Sequence, residues 1–101
     1  MESISINEID QIIEQTQDGI ILFHKALCPH CKNMEKVMTR FSSKAPTVSL
    51  MMVDSEEDLE LMKRFGVERV PSLVFVKDKK NVHTKTGLMN PKELFSLYQS
   101  L

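Results

Sequence analysis

The sequence predicts an α/β domain in which a mixed β-sheet carries helices on both faces. Three observations lead to it. Apolar residues recur at helical spacing in four segments, with short unbroken apolar runs between them. The first two runs are joined through a helix, which makes them parallel neighbours. The last two are separated only by a polar turn, which makes them a hairpin. The predicted order is α-β-α-β-α-β-β-α, with no repeat, low-complexity tract or domain linker. One domain spanning residues 1–101 is expected, enough for one modest core.

Each element has its own reason. Ser5 and Glu8 form the S-x-x-E pattern of a capping box, and Ile6, Ile9, Ile12 and Ile13 follow at helical spacing. A helix over about residues 6 to 17 is predicted, ended by Asp18-Gly19. Residues 20–24, Ile-Ile-Leu-Phe-His, read as a buried strand. A second helix begins at or just after Cys28. Pro29 suits its first turn, where the missing N–H would be unpaired anyway. Met34, Val37, Met38 and Phe41 supply its apolar face, and residues 42–46 break it. Residues 47–53 read as a second strand, with Asp54 and Ser55 as turn and cap candidates. Leu59, Leu61, Met62 and Phe65 mark a third helix, stopped by Gly66. Residues 72–77 form a strand, Asp78-Lys79-Lys80-Asn81 the turn, and Val82 to Thr86 the returning strand. Gly87 interrupts it. Asn90 caps a last helix that Pro91 opens.

Composition excludes several classes. The 13 basic and 14 acidic side chains give a formal net charge of −1, so no basic surplus points to a nucleic acid or an anionic membrane. No apolar stretch reaches the roughly 18–20 residues that span a bilayer. Met1-Glu2-Ser3-Ile4 lacks the basic start and apolar core of a secretory signal, which makes a cytoplasmic location the expectation. In a reducing cytosol, a lone close cysteine pair is catalytic or metal-binding more often than structural.

That pair is Cys28-Pro29-His30-Cys31, and it contains both cysteines of the chain. Two cysteines three residues apart at a helix start can close a disulfide and open it again, so thiol–disulfide exchange leads. A structural zinc site would need a second ligand pair, and His24, His30 and His83 do not show its spacing. His24 is expected to be solvated. The seven methionines fit core filling. Met89 is the exception: beside the groove in a loop, it is expected as an exposed apolar contact.

Over nearly its whole length the chain resembles the thioredoxin-fold oxidoreductases. The residues that carry the resemblance are Ile21-Leu22-Phe23 leading into Cys28 to Cys31, Val70-Pro71 before a central strand, and Gly87 near the end of the last strand. The resemblance implies a thioredoxin-like fold with a mixed four-stranded central sheet, the family's first strand being short or missing. It implies a cis Pro71 that leaves the carbonyl and N–H of Val70 facing a substrate groove. It also makes Leu27, Pro29, Val70 and Met89 the substrate contacts. Three departures stand out. Leu27 occupies the place of the usual tryptophan, the buried aspartate of the family falls at Leu22, and its nearby lysine falls at about Leu50.

On this reading Cys28 attacks, because free N–H groups and the helix dipole lower its pKa from about 8.5 toward or below 7. Cys31, one turn further in, is more buried and resolves the mixed disulfide. His30 favours the Cys28 thiolate, so a potential above that of tryptophan-bearing thioredoxins is expected. The expected activity is protein-disulfide exchange through Cys28, Cys31, His30 and Pro71, with no cofactor and no metal. The partners are protein disulfides or dithiols and a thioredoxin-reductase-like or other thiol reductant, with no nucleic acid and no membrane. A monomer is expected. Two alternatives stand beside this: a non-enzymatic adaptor using the same groove, and a glutaredoxin-like enzyme using glutathione.

Overall fold

Two strands at the centre of the sheet organise the molecule, because their side chains are apolar on both faces. The computed structural model describes residues 1–101, apart from the side chain of Glu2. Its elements are β1 (Glu2–Ser3), α1 (Ile9–Glu14), β2 (Asp18–His24), α2 (Pro29–Lys44), β3 (Ser49–Asp54), α3 (Leu59–Phe65), β4 (Ser72–Lys77), β5 (Lys80–Thr86) and α4 (Pro91–Ser100). The strands lie in the order β1-β3-β2-β4-β5. β1 and β2 run parallel to β3, whereas β4 runs antiparallel to both β2 and β5. The mixed sheet and the thioredoxin-like fold are as expected. The first strand is the short one, at two residues.

Alternation along β2 and β4 divides the core in two. Ile21, Phe23, Val74 and Val76 face α1 and α3, joined by Ile9, Val53, Leu61 and Val67. Ile20, Leu22, Leu73 and Phe75 face α2 and α4, joined by Met34, Met38, Phe41 and Leu94. A strand with helices on both sides is apolar at successive positions, which is why residues 20–23 and 73–76 read as unbroken runs. Fully burying one such Leu, Ile or Phe stabilises the fold by about 1.5–3 kcal/mol.

Four local expectations are corrected. The first helix begins at Ile9, not residue 6. The extended chain persists to Ile4, whose N–H donates to the Met52 carbonyl, and Ser5 to Glu8 then form a turn. Ser5 Oγ donates to Glu8 Oε1 (2.9 Å) and caps nothing. Asp18-Gly19 does not end that helix but opens β2, paired with Lys77 and Val76. Gly19 is required there by close approach: a Cβ would meet Thr16 Cγ2 at 2.7 Å. The hairpin turn is two residues, Asp78 and Lys79, both at positive φ. That geometry matches the strand twist, and their N–H groups donate to the carbonyls of Gln17 and Thr16. β5 therefore starts at Lys80, and the pairing of Phe75 with His83 and of Val76 with Asn81 leaves Val82 as a bulge.

α2 runs on through Ser42, Ser43 and Lys44, which the sequence reads as part of a break, and ends at Ala45, whereas the end of α3 and the start of α4 follow their signals. Gly66 ends α3 at φ 67°, the left-handed conformation that closes many helices. Asn90 accepts from Glu93 N–H while the Glu93 carboxylate accepts from Asn90 N–H, a complete capping box before Pro91.

Candidate active site

β2 ends at His24, and the chain then turns through Lys25, Ala26 and Leu27 into α2. Cys28 is the N-cap of that helix, with extended φ −120° and ψ 98°. Its Sγ accepts the N–H of Cys31 at 3.2 Å. Sulfur here does what a serine or aspartate oxygen does at other helix starts: it satisfies one of the orphan N–H groups. Pro29 is the first residue of the helix, His30 the second and Cys31 the third. Cys28 and Cys31 are joined in a disulfide, with their Cα atoms 5.2 Å apart.

The two sulfurs are not equally accessible. Cys31 is 1 % exposed and Cys28 7 %, so the order is the one expected, although Cys28 too is largely covered in the oxidised state. Around them Leu27, Pro29 and His30 are exposed, Leu27 at 97 %. Leu27 also has φ 54°, a left-handed conformation that costs a residue with Cβ about 1–2 kcal/mol. Between Lys25 and Met34 the chain carries Lys25, Lys32 and His30 and no acid. Beneath lies an apolar layer: Leu22 is fully buried, and Leu50 packs partly buried against the same cluster.

The Val70-Pro71 peptide bond is cis. Pro71 precedes β4, whose first residue, Ser72, pairs with Phe23 near the end of β2. The proline therefore sits at the sheet edge from which the chain leaves for the dithiol. Gly87 N–H donates to the Pro71 carbonyl (3.0 Å), which brings the end of β5 to the same edge. Among the described residues the N–H and carbonyl of Val70 have no backbone partner. Val70 is half-buried and borders a cleft of about 360 Å³ with Lys25, Ser55, Met62, Glu68 and Arg69.

Two expected features are placed differently. Met89 is no surface contact: it is 8 % exposed, belongs to the α2/α4 core, and its N–H meets Met34 Sδ at 3.4 Å. Leu88, half exposed, occupies the outward position instead. His24 is not freely solvated: it is half-buried, and among the described residues its buried Nε2 has no partner. Ser72 was missed. Its fully buried Oγ donates to the Arg69 carbonyl (2.6 Å) and lies 2.9 Å from Thr86 Oγ1, tying the loop before Pro71 to β5. A lone hydroxyl opening an apolar strand was the available signal.

This arrangement has counterparts. A family model described as Thioredoxin matches residues 2–100. The chain belongs to the thioredoxin family. A thioredoxin from Chlamydia muridarum (strain MoPn / Nigg) is 26 % identical over 96 residues, covering 93 % of this chain and 94 % of that protein. Desulfothioredoxin from Desulfovibrio vulgaris Hildenborough, in the solution structure of its reduced form, is 48 % identical with a TM-score of 0.87. The match covers 99 % of this chain and 97 % of that one. Mitochondrial thioredoxin 3 from Saccharomyces cerevisiae, in its oxidised form, is 23 % identical with a TM-score of 0.87 and shares the fold. It covers 100 % of this chain and 95 % of its own. As a thioredoxin-family member with a Cys-x-x-Cys dithiol, this protein is a thiol–disulfide oxidoreductase. Among the described residues, no helix is long and apolar enough to cross a membrane.

Proposed function

We propose that this protein exchanges two electrons with protein disulfides, with Cys28 as the attacking thiol and Cys31 as the resolving one. One observation carries the assignment of roles: Cys28 Sγ caps α2 and accepts the Cys31 N–H, whereas Cys31 is the more enclosed sulfur. A thiolate at that cap meets an N–H donor and the positive end of the helix dipole, which lowers its pKa below the ordinary value of about 8.5.

In the reduced enzyme the Cys28 thiolate attacks one sulfur of a partner disulfide. A Cys28–partner bond forms, the partner S–S bond breaks, and one partner thiolate leaves. Cys31 then gives up its proton and attacks Cys28 Sγ. The Cys28–Cys31 bond forms, the mixed disulfide breaks, and the second partner thiolate leaves. The partner gains two electrons and the dithiol loses them. With Leu22 and Leu50 where the family has its aspartate and lysine, the departing partner thiolate is the base we assign to the Cys31 proton.

Pro71 and Val70 hold the substrate: the free N–H and carbonyl of Val70 pair with an extended segment, while Leu27 and Pro29 give apolar contact. A thioredoxin-reductase-like enzyme or another thiol reductant resets the pair, and cytoplasmic electron transfer is the setting that suits it. The test is insulin reduction with dithiothreitol, alongside equilibration in a glutathione buffer. Turnover above the dithiothreitol background, lost in Cys28→Ser, is expected. Cys31→Ser should accumulate a mixed disulfide with protein substrates that mass spectrometry detects. A wild-type pair no faster than free dithiothreitol would leave only an adaptor.

A further inference from the structure

A cleft of about 510 Å³ lies away from Pro71, along the outer side of α2. Val37, Pro91, Lys36 and Arg40 line it together with Asn33 and Thr39, and Glu35 is its one acid. Beside it runs a ridge of exposed cations: Lys32, Lys36, Arg40 and Lys44, each four residues from the last. Residues at that spacing are neighbours on a helix, and the ridge extends for about 18 Å from the dithiol.

Ordinary solvation does not account for this pattern. A solvated helix gains by alternating acids and bases four residues apart, whereas like charges there repel. Lys32 also lies at the first turn of α2, where a cation opposes the dipole. Among the described residues none of the four is in an ion pair, the sole pair being Arg64 with Asp10. The charge of the whole molecule is divided likewise. Residues 8–14 and 54–69, around α1 and α3, hold nine acidic side chains against Lys63, Arg64 and Arg69. α2 and α4 hold Lys92 and the four ridge cations against Glu35 and Glu93.

We propose that the α2 ridge and its apolar cleft dock an acidic segment of a protein partner, presenting that partner's sulfur to Cys28. Aspartates or glutamates of the segment pair with Lys36, Arg40 and Lys44, and an apolar residue between them enters the cleft against Val37 and Pro91. A nucleic acid fits less well, since no aromatic side chain lines the cleft for base stacking and the acidic α1/α3 side repels a long polyanion. The presentation of sulfur rests on the dithiol reading above; the docking does not.

The test uses fluorescein-labelled peptides without cysteine, one carrying glutamates around a leucine, one with serines in their place. Anisotropy should show the acidic peptide binding at least about tenfold more tightly at low ionic strength. The advantage should vanish near 1 M salt, where screening acts within about 3 Å. Lys36→Glu with Arg40→Glu should abolish it, and the milder Lys36→Gln with Arg40→Gln should weaken it. Lys79→Glu with Lys80→Glu, the same charge change at the hairpin tip, should retain it. Equal binding of both peptides overturns the proposal, as does equal loss in the hairpin-tip variant or tighter binding of a fluorescein-labelled single-stranded oligonucleotide. The same peptides bearing a disulfide separate the two readings. If both are reduced at equal rates, the dithiol stands and the docking falls. If neither is reduced yet the acidic one binds, the docking stands alone.

Discussion

Cys28 shows how much one side chain does by standing at a helix start. Its sulfur occupies the position of a cap oxygen, so the group that caps α2 is also the group whose ionisation we propose drives exchange. His30 is two residues in and exposed, and we propose that it adds to the stabilisation of that thiolate. His30→Ala is therefore expected to make the pair more reducing. Each unit by which the thiolate pKa rises corresponds to about 30 mV, read as a shifted midpoint in a glutathione series. An unmoved midpoint would make His30 a bystander. Leu27 carries a different lesson. A leucine in left-handed conformation and almost wholly exposed stabilises nothing in the folded chain. Leu27→Gly should raise stability by up to about 1 kcal/mol in urea titration and reduce kcat/KM for a protein substrate. Unchanged kinetics would remove Leu27 from the partner contacts.

Elements rather than residues decide where the proline goes. β2 and β4 are antiparallel, so the strand that leads to the dithiol ends beside the strand that Pro71 precedes. Ser72 locks that junction through Arg69 and Thr86. Ser72→Ala removes both of these partly buried hydrogen bonds and should cost about 1–3 kcal/mol, seen as an earlier urea midpoint with an unchanged slope. If Ser72 matters to the loop as well, protection of the 69–71 amides from hydrogen exchange should fall with it. The spacing of the first helix misled for a related reason. Ile6, Ile12 and Ile13 repeat as a helix does, yet residues 6–8 are a turn, because β1 holds the chain extended to Ile4. Local periodicity has no means of registering a strand contributed by two residues.

Across the whole molecule the last helix is fastened back onto the sheet. Lys77 Nζ sits 4.3 Å above the Tyr98 ring and donates to the Leu101 carbonyl at 3.0 Å. Phe41 meets Tyr98 edge to face, with centroids 5.6 Å apart. Burial, and then the neighbouring Asp18 carboxylate, pushes the Tyr98 phenol up from 10.0 to about 12. Below pH 10 both folded and unfolded chains keep that proton. Between pH 10 and 12 the unfolded chain loses it while the folded chain holds it, so stability should fall across that window and level off above it. Tyr98→Phe should lack this decline in denaturant titrations from pH 9 to 12. An identical decline would place its origin in the lysines.

The chemistry and the strands at the sheet centre were legible from the sequence because both depend on near neighbours. The cysteines are three residues apart, Pro29 marks the helix start, and strands covered on two faces are apolar at successive positions. Tertiary structure decided whatever joins distant segments. The burial of Met89 follows from α4 folding over α2, the isolation of His24 Nε2 from the packing around the end of β2, and the role of Ser72 from β5 lying alongside. It also decided which cations share a surface: the ridge was spaced for a helix in the sequence, but the cleft beside it exists only because Pro91 comes to rest against α2. Sequence spacing reports contacts within a few residues; contacts across the chain depend on how the elements stack, and no local pattern encodes that.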